Sequence, residues 1–336
     1  MTESATNHAP MPEVLLGRTG ITTSRLSIGT WGFGDASAPQ ARVPDEQTLI
    51  GILRAAFAAG IRFLDSAEAY ENEKELGRLL KEVDAPSDLI VASKFGHGKG
   101  FTGDLFRRSV EESLAYLGLD KIELMMVHDP RNEDDMAVVM GKGGALEELR
   151  KMQDEGIVGS IGVATGTFGP LRTAVDSDEF DAIQFPRLFT LLNRTAKTSK
   201  LLEDAKARNI ATFNPAPFAG NILATGAVPG ALYVYRPALE EVLEAVRKME
   251  ARCAELGVSL PAAALAYSLT EPLVDVTIVG VTNAQELEWD LAALDVTLSR
   301  AELESIAEAG AIDPALLGGP TFVRSWPEDR TPPPAS

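Results

Sequence analysis

One cysteine, Cys253, stands among 336 residues. An intramolecular disulfide is therefore impossible, and a reducing, cytoplasmic compartment is the expectation. Apolar runs long enough to span a bilayer are missing. The opening MTESATNHAPMPE lacks the apolar stretch behind a basic start that marks a secretory signal. Basic residues are few, with 31 Lys and Arg against 49 Asp and Glu and a formal net charge of −18. An acidic surface repels phosphate backbones, so no nucleic acid is expected as a partner, and nothing points to a membrane. The charge does not exclude a dinucleotide, because one pocket can be locally positive on an acidic protein. A phosphate-binding glycine fingerprint is also absent. The glycine-dense stretches GTWGFG (29–34), GHGKG (96–100) and GKGG (141–144) match neither G-x-G-x-x-G nor a P-loop and read as flexible turns.

What the chain does have is alternation. Short β-branched or apolar runs at 26–29, 62–65, 89–93, 123–127, 158–163, 182–185, 210–213 and 275–279 read as strands. Helical patterns follow them at 46–59, 72–82, 104–117, 144–155, 170–177, 199–208, 237–256 and 284–294. Eight strands alternating with eight helices predict an α/β fold, a closed parallel (β/α)8 or TIM barrel, carried as one domain over residues 15–310. An open doubly wound sheet is the runner-up, and it would want the missing glycine fingerprint. LLGRTGITT (15–23) reads as an N-terminal β-hairpin turning at Thr19–Gly20 and plugging the barrel floor. Residues 1–14 read as a flexible N-terminus and 215–237 as a long loop after the seventh strand. An extra C-terminal helix is expected at 300–309, and a Pro-rich tail occupies 311–336.

Active groups of such a barrel gather at the C-terminal ends of its strands. The second strand ends at Asp65 in RFLDSAEAY, whose loop carries Tyr70. The third runs into Lys94 in LIVASKFG, and the fourth into His128 in LMMVHDP. Three adjacent strands thus deliver an Asp, a Lys and a His to one rim, with a Tyr beside them. Hydride transfer to a carbonyl leaves an alkoxide that needs a proton, and the reverse reaction needs a base. A phenol of reference pKa about 10 serves near neutrality only if a neighbouring cation favours its phenolate. Lys94 can supply that cation, Asp65 can hold it, and His128 can hydrogen-bond the substrate oxygen. Taken singly, each has a plainer reading: a helix cap, a packing residue, a loop charge, a turn residue. Together they share one rim. They are not spaced as a metal site, and no metal is expected.

At these residues the chain resembles the aldo-keto reductase family. GIRFLDSAEAYENEKELG is similar to the family signature around its Asp and Tyr, and SKFG and VHDP are similar to its Lys and His segments. The resemblance implies catalytic roles for Asp65, Tyr70, Lys94 and His128, and NAD or NADP bound on the barrel without a Rossmann domain. It implies cofactor contacts from Thr30 and Asp65, from Gln184 to the nicotinamide amide, and from Phe213 as a stacking ring. Thr165 stands where the family has a Ser-Asn pair, Gly220 sits in a pyrophosphate-binding loop, and Gly280 and Thr282 lead into a helix N-terminus. NADP-preferring relatives carry a Lys and an Arg at the positions of Gly280 and Glu286. A carboxylate suits a free ribose hydroxyl better than a phosphate, so NAD is favoured here, with Asp290 replacing an adenine-contacting Asn. Trp31 would line the substrate pocket beside Tyr70 and His128.

Within the family, APFAGNILATG and the helix beyond it resemble the bacterial aldose 1-dehydrogenase and pyridoxal 4-dehydrogenase group. That likeness implies oxidation of a sugar hemiacetal to its lactone. The alternatives are an NAD(P)H-dependent reductase of aldehydes or ketones, and a cofactor-binding regulatory subunit without turnover. Substrate, direction and oligomeric state stay open.

Overall fold

The computed structural model describes residues 8–34, 43–234 and 236–317. Its chain opens on the hairpin β1 (Glu13–Leu15) and β2 (Thr22–Ser24) and enters the barrel at β3 (Leu26–Gly29). There follow α1 (Glu46–Ala58), β4 (Phe63–Asp65), α2 (Glu73–Glu82), β5 (Ile90–Phe95), α3 (Gly103–Leu117) and β6 (Ile122–His128). Two helices then come in succession, α4 (Glu133–Met140) and α5 (Ala145–Asp154), before β7 (Val158–Ala164), α6 (Phe168–Ser177), β8 (Ala182–Gln184), α7 (Ala196–Ala207) and β9 (Ala211–Pro215). The stretch expected to be a plain loop holds a one-turn helix, α8 (Ile222–Thr225), and a two-residue hairpin, β10 (Leu232–Tyr233) with β11 (Arg236–Pro237). The helix expected at 237–256 begins later, because Pro237 lies in β11. α9 is Glu240–Glu255, and Ser259 caps a separate α10 (Leu260–Leu269). β12 (Val276–Gly280), α11 (Ala284–Ala292) and α12 (Arg300–Ala309) finish the set.

The barrel is closed and parallel in the order β12-β3-β4-β5-β6-β7-β8-β9, which is the expected (β/α)8 arrangement. Strand period two sorts the side chains. Phe63, Ala92, Leu124, Met126, Ala182, Ala211, Phe213, Val276 and Ile278 form one interior cluster, while Leu64, Val91, Met125 and Val127 join the clusters under the helices. Leu16, from the β1–β2 turn, is fully buried within the interior cluster. The hairpin therefore stoppers the N-terminal end of the barrel. Ahead of it, His8 hydrogen-bonds Asp295 at 2.8 Å and Glu288 at 3.0 Å, which fastens the chain to the α11 end of the barrel. Residues 1–7 of the segment expected to be flexible, and 318–336 of the expected tail, lie outside the described residues.

The close approach of α2 to α3 is set by Gly77. A β-carbon there would stand 2.1 Å from the Tyr116 carbonyl oxygen and 2.8 Å from the Leu117 α-carbon. Backbone cannot yield as a side-chain tip can, so Gly77→Ala is expected to lower stability by about 2 kcal/mol through overpacking. Urea unfolding checks this, and an unchanged midpoint would show that the helices separate freely. That contact joins the middle of α2 to the last turn of α3.

Candidate active site

Alternation along three neighbouring strands brings the polar groups together. Inward-facing Phe63, Ala92 and Leu124 are followed two or four residues on by Asp65, Lys94 and His128, toward the C-terminal ends of β4, β5 and β6. Lys94 is 1 % exposed, and its ammonium donates to Asp65 Oδ1 at 2.7 Å and to the Ser66 carbonyl at 2.6 Å. Its nitrogen lies 4.9 Å from the centroid of the Tyr70 ring, over the face of the phenol. Burial pulls the Lys94 pKa below the usual lysine value, and Asp65 and Glu73 work against that pull. The Tyr70 and His128 rings meet edge to face with centroids 6.0 Å apart. All four residues of the expected tetrad thus share one rim.

His128 is held neutral. Burial pushes its pKa well below the ordinary histidine value, and the charges of Lys94 and His97 push the same way. Its Nδ1 is buried with no hydrogen-bond partner among the described residues. A neutral imidazole that faces the phenol can hydrogen-bond a substrate oxygen without adding a second cation beside Lys94.

The turn bearing Tyr70 is tied down by Thr30 together with Ser66 and Asn72, two residues that sequence reasoning did not single out. Asn72 Nδ2 donates to the Thr30 carbonyl at 2.5 Å, and the Ser66 hydroxyl donates to Asn72 Oδ1 at 3.3 Å. The Thr30 hydroxyl reaches Ser66 Oγ at 3.1 Å. Beneath Lys94, the outward-facing Ser93 and the α3 residue Ser113 donate to the two oxygens of Glu73, whose carboxyl burial pushes upward in pKa. A run of small polar residues beside a strand-end acid carries no distinguishing pattern, so only the fold reveals this web.

The expected cofactor contacts fall into three sets. Gln184, on β8, donates through Nε2 to Asp65 Oδ2 at 3.2 Å, and its Oε1 is buried without a partner among the described residues. That orphaned acceptor beside the tetrad suits an amide N–H such as the carboxamide of a nicotinamide. In a second set, the polar groups are already engaged. Thr30 is fully buried in the Ser66–Asn72 web. The Thr165 hydroxyl donates to the Pro130 carbonyl at 3.0 Å and accepts the Thr167 N–H at 3.1 Å. Phe213 has no exposed area, tilts against Phe63 at 5.3 Å and pairs in register with Gln184 of β8. The third set lies around the ends of β9 and β12. Gly220 is the centre of three successive left-handed residues, Ala219, Gly220 and Asn221, ahead of α8. Gly280 ends β12 in an exposed position with open space around it. The Glu286 carboxylate accepts from Thr282 N at 2.6 Å and Thr282 Oγ1 at 2.9 Å, which folds it over the N-terminus of α11. Burial and the charge of Glu286 push the Asp290 carboxyl well above the usual carboxylate range. Trp31 stands half-buried in the short helix that follows β3. Among the described residues no helix is long and apolar enough to cross a membrane, and no three metal-ligating side chains cluster.

Comparison with known proteins agrees with this geometry. The chain is 28% identical over 298 residues to L-galactose dehydrogenase of Arabidopsis thaliana, covering 87% of this chain and 88% of that one. It is 29% identical over 306 residues to D-threo-aldose 1-dehydrogenase of a Pseudomonas species, covering 81% and 91%. The holo form of an aldo-keto reductase from Bacillus halodurans has the same fold, with a TM-score of 0.72 at 20% identity over 90% of this chain and 97% of that one. The model of the aldo/keto reductase family matches residues 25–311, which span the whole barrel, and the chain belongs to that family of NAD(P)-dependent oxidoreductases.

Proposed function

We propose that the chain oxidises an aldose or a similar cyclic hemiacetal to its lactone, with Tyr70 as the group that moves the proton. The observation that carries this reading is the Lys94 ammonium, buried against Asp65 and lying over the Tyr70 ring. A cation in that place favours the phenolate, which can take the proton of an anomeric hydroxyl. His128, neutral, orients the same oxygen. Asp65 keeps Lys94 charged and in place, and Gln184 Oε1 offers its free acceptor to the carboxamide of the cofactor. A nicotinamide held beside Gln184 would supply the hydride acceptor. Run backwards, the same residues protonate an alkoxide, so reduction of an aldehyde uses the identical set. A small sugar or aldehyde is the expected partner, and the two dehydrogenase relatives support a sugar. Absorbance at the reduced-nicotinamide band, with NAD and NADP against aldoses, pyridoxal and simple aldehydes, tests the proposal. Turnover of simple aldehydes with none of any aldose would replace it with the reductase reading.

NAD is the cofactor this reading favours. Neither Gly280 nor Glu286 can clamp a 2′-phosphate, and the Glu286 carboxylate at the α11 N-terminus adds repulsion there. Glu286→Arg is expected to raise the NADP-to-NAD ratio of kcat/KM about tenfold, because it adds a charge-assisted hydrogen bond and removes a repulsion. An unchanged ratio would place cofactor discrimination elsewhere.

A further inference from the structure

Beside the tetrad stands a second histidine that the mechanism above leaves idle. His97 follows β5 by two residues, after Gly96, whose φ of +124 is open to glycine and closed to most other residues. A β-carbon at Gly96 would also meet the Phe101 ring at 2.5 Å. This turn swings His97 back across the rim, where its ring centre lies 5.4 Å from that of His128. His97 is partly exposed and His128 more enclosed, so His97 forms the next layer outward from the reacting position.

Its orientation is fixed. His97 Nδ1 lies 3.1 Å from Asp129 Oδ2. Asp129 is itself locked: its backbone is left-handed at φ +56, its N–H donates to the Ala164 carbonyl at 2.7 Å, and the Thr165 hydroxyl and Arg131 also contact its carboxylate. An aspartate tolerates that backbone better than most residues. With Nδ1 engaged, Nε2 is the remaining polar atom of the ring, and it has no hydrogen-bond partner among the described residues.

We infer that His97, oriented by Asp129, contacts a hydroxyl on the substrate carbon skeleton and selects hydroxylated substrates over apolar ones. The argument is one of matching. Held through Nδ1, the ring presents at Nε2 an acceptor when neutral and a donor when protonated, and a hydroxyl satisfies either form. An alkyl chain satisfies neither and leaves a desolvated polar atom unpaired, which is how sites reject analogues that lack a hydroxyl. His97 would touch substrate directly; Asp129 is a positioning residue that acts through it. The inference rests on the reading of Tyr70 and His128 as the reacting site and adds the residue that reads the substrate's hydroxyl groups.

The test compares kcat/KM for a hydroxylated aldehyde or aldose with that for an apolar aldehyde of equal carbon number, in the wild type and three variants. His97→Phe keeps a ring but removes Nε2, and is expected to lower the hydroxylated-to-apolar ratio at least tenfold. His97→Gln restores a polar atom at the same reach and is expected to recover much of the ratio. Asp129→Asn is expected to lower it severalfold, chiefly through KM. A ratio unmoved by His97→Phe, or equal loss on both substrates with no recovery in His97→Gln, overturns the inference and assigns the pair to local structure. Wild-type turnover of apolar aldehydes alone also overturns it while leaving the oxidoreductase reading intact. Failure of both substrate panels with either nicotinamide cofactor would remove that reading and this one together.

Discussion

Tyr70→Phe should lower kcat by about a thousandfold, within the roughly 10²–10⁴ range for loss of a placed proton-transfer group. It should leave cofactor affinity nearly unchanged. The variant removes one oxygen and keeps the ring, so the cation–π contact with Lys94 and the edge-to-face contact with His128 survive. Those contacts make it a clean experiment, because the Asn72–Thr30 anchor of the same turn is untouched. Steady-state kinetics with a fluorescence titration of the cofactor would read both quantities. A kcat within threefold of wild type would remove Tyr70 from the chemistry, whatever the distances around it.

Asp65→Asn should be costly in a different way. The variant leaves the Lys94 ammonium enclosed without its countercharge, and removing one partner of a buried ion pair typically costs about 3–5 kcal/mol. The pH dependence has a definite sign. Burial already lowers the Lys94 pKa in the folded protein, and without Asp65 it falls further, while the unfolded chain keeps a value of about 10.4. The native state then binds fewer protons than the unfolded state between those two values, so stability rises with pH across that window. Urea midpoints at pH 7 and pH 9.5 should show the deficit of Asp65→Asn shrinking as the medium becomes alkaline. A loss under about 1 kcal/mol at pH 7, or a deficit that ignores pH, would mean that water reaches Lys94. Activity should fall as well, since a neutral amine no longer favours the phenolate.

Much of this architecture can be read from residues alone, for an identifiable reason. Parallel barrel strands are short apolar runs between longer helical repeats, and their outlines survive in one sequence: 26–29 matches β3 end to end, and 182–185 overruns β8 by one residue. The tetrad is legible because each member lies in the last two residues of a strand or follows one closely. Short elements are not. α4 has an Asn132 cap and three acidic residues in its first turn, but its eight residues vanish into a connection that already contains α5. α8 and the β10–β11 hairpin are too short for any periodicity to register. Pairings between distant segments are invisible for a second reason. By sequence His97 belongs to a glycine-rich turn, and only closure of β5 beside β6 brings Asp129, 32 residues away, into reach. Phe213, expected as a stacking ring, is enclosed against Phe63 and stands level with Gln184 across the β8–β9 pair, a register that only the closed barrel reveals.

The stopper made by the β1–β2 hairpin bears on traffic. With Leu16 sealing the far end, the cylinder is blind, and every reactant must arrive and depart over the ring of residues that includes Trp31, Tyr70 and His97. Two molecules that share a single doorway cannot exchange independently once the outer one is seated. On the proposed reading, in which the cofactor carboxamide meets Gln184 beneath the substrate, the cofactor would be the first to load and the last to leave.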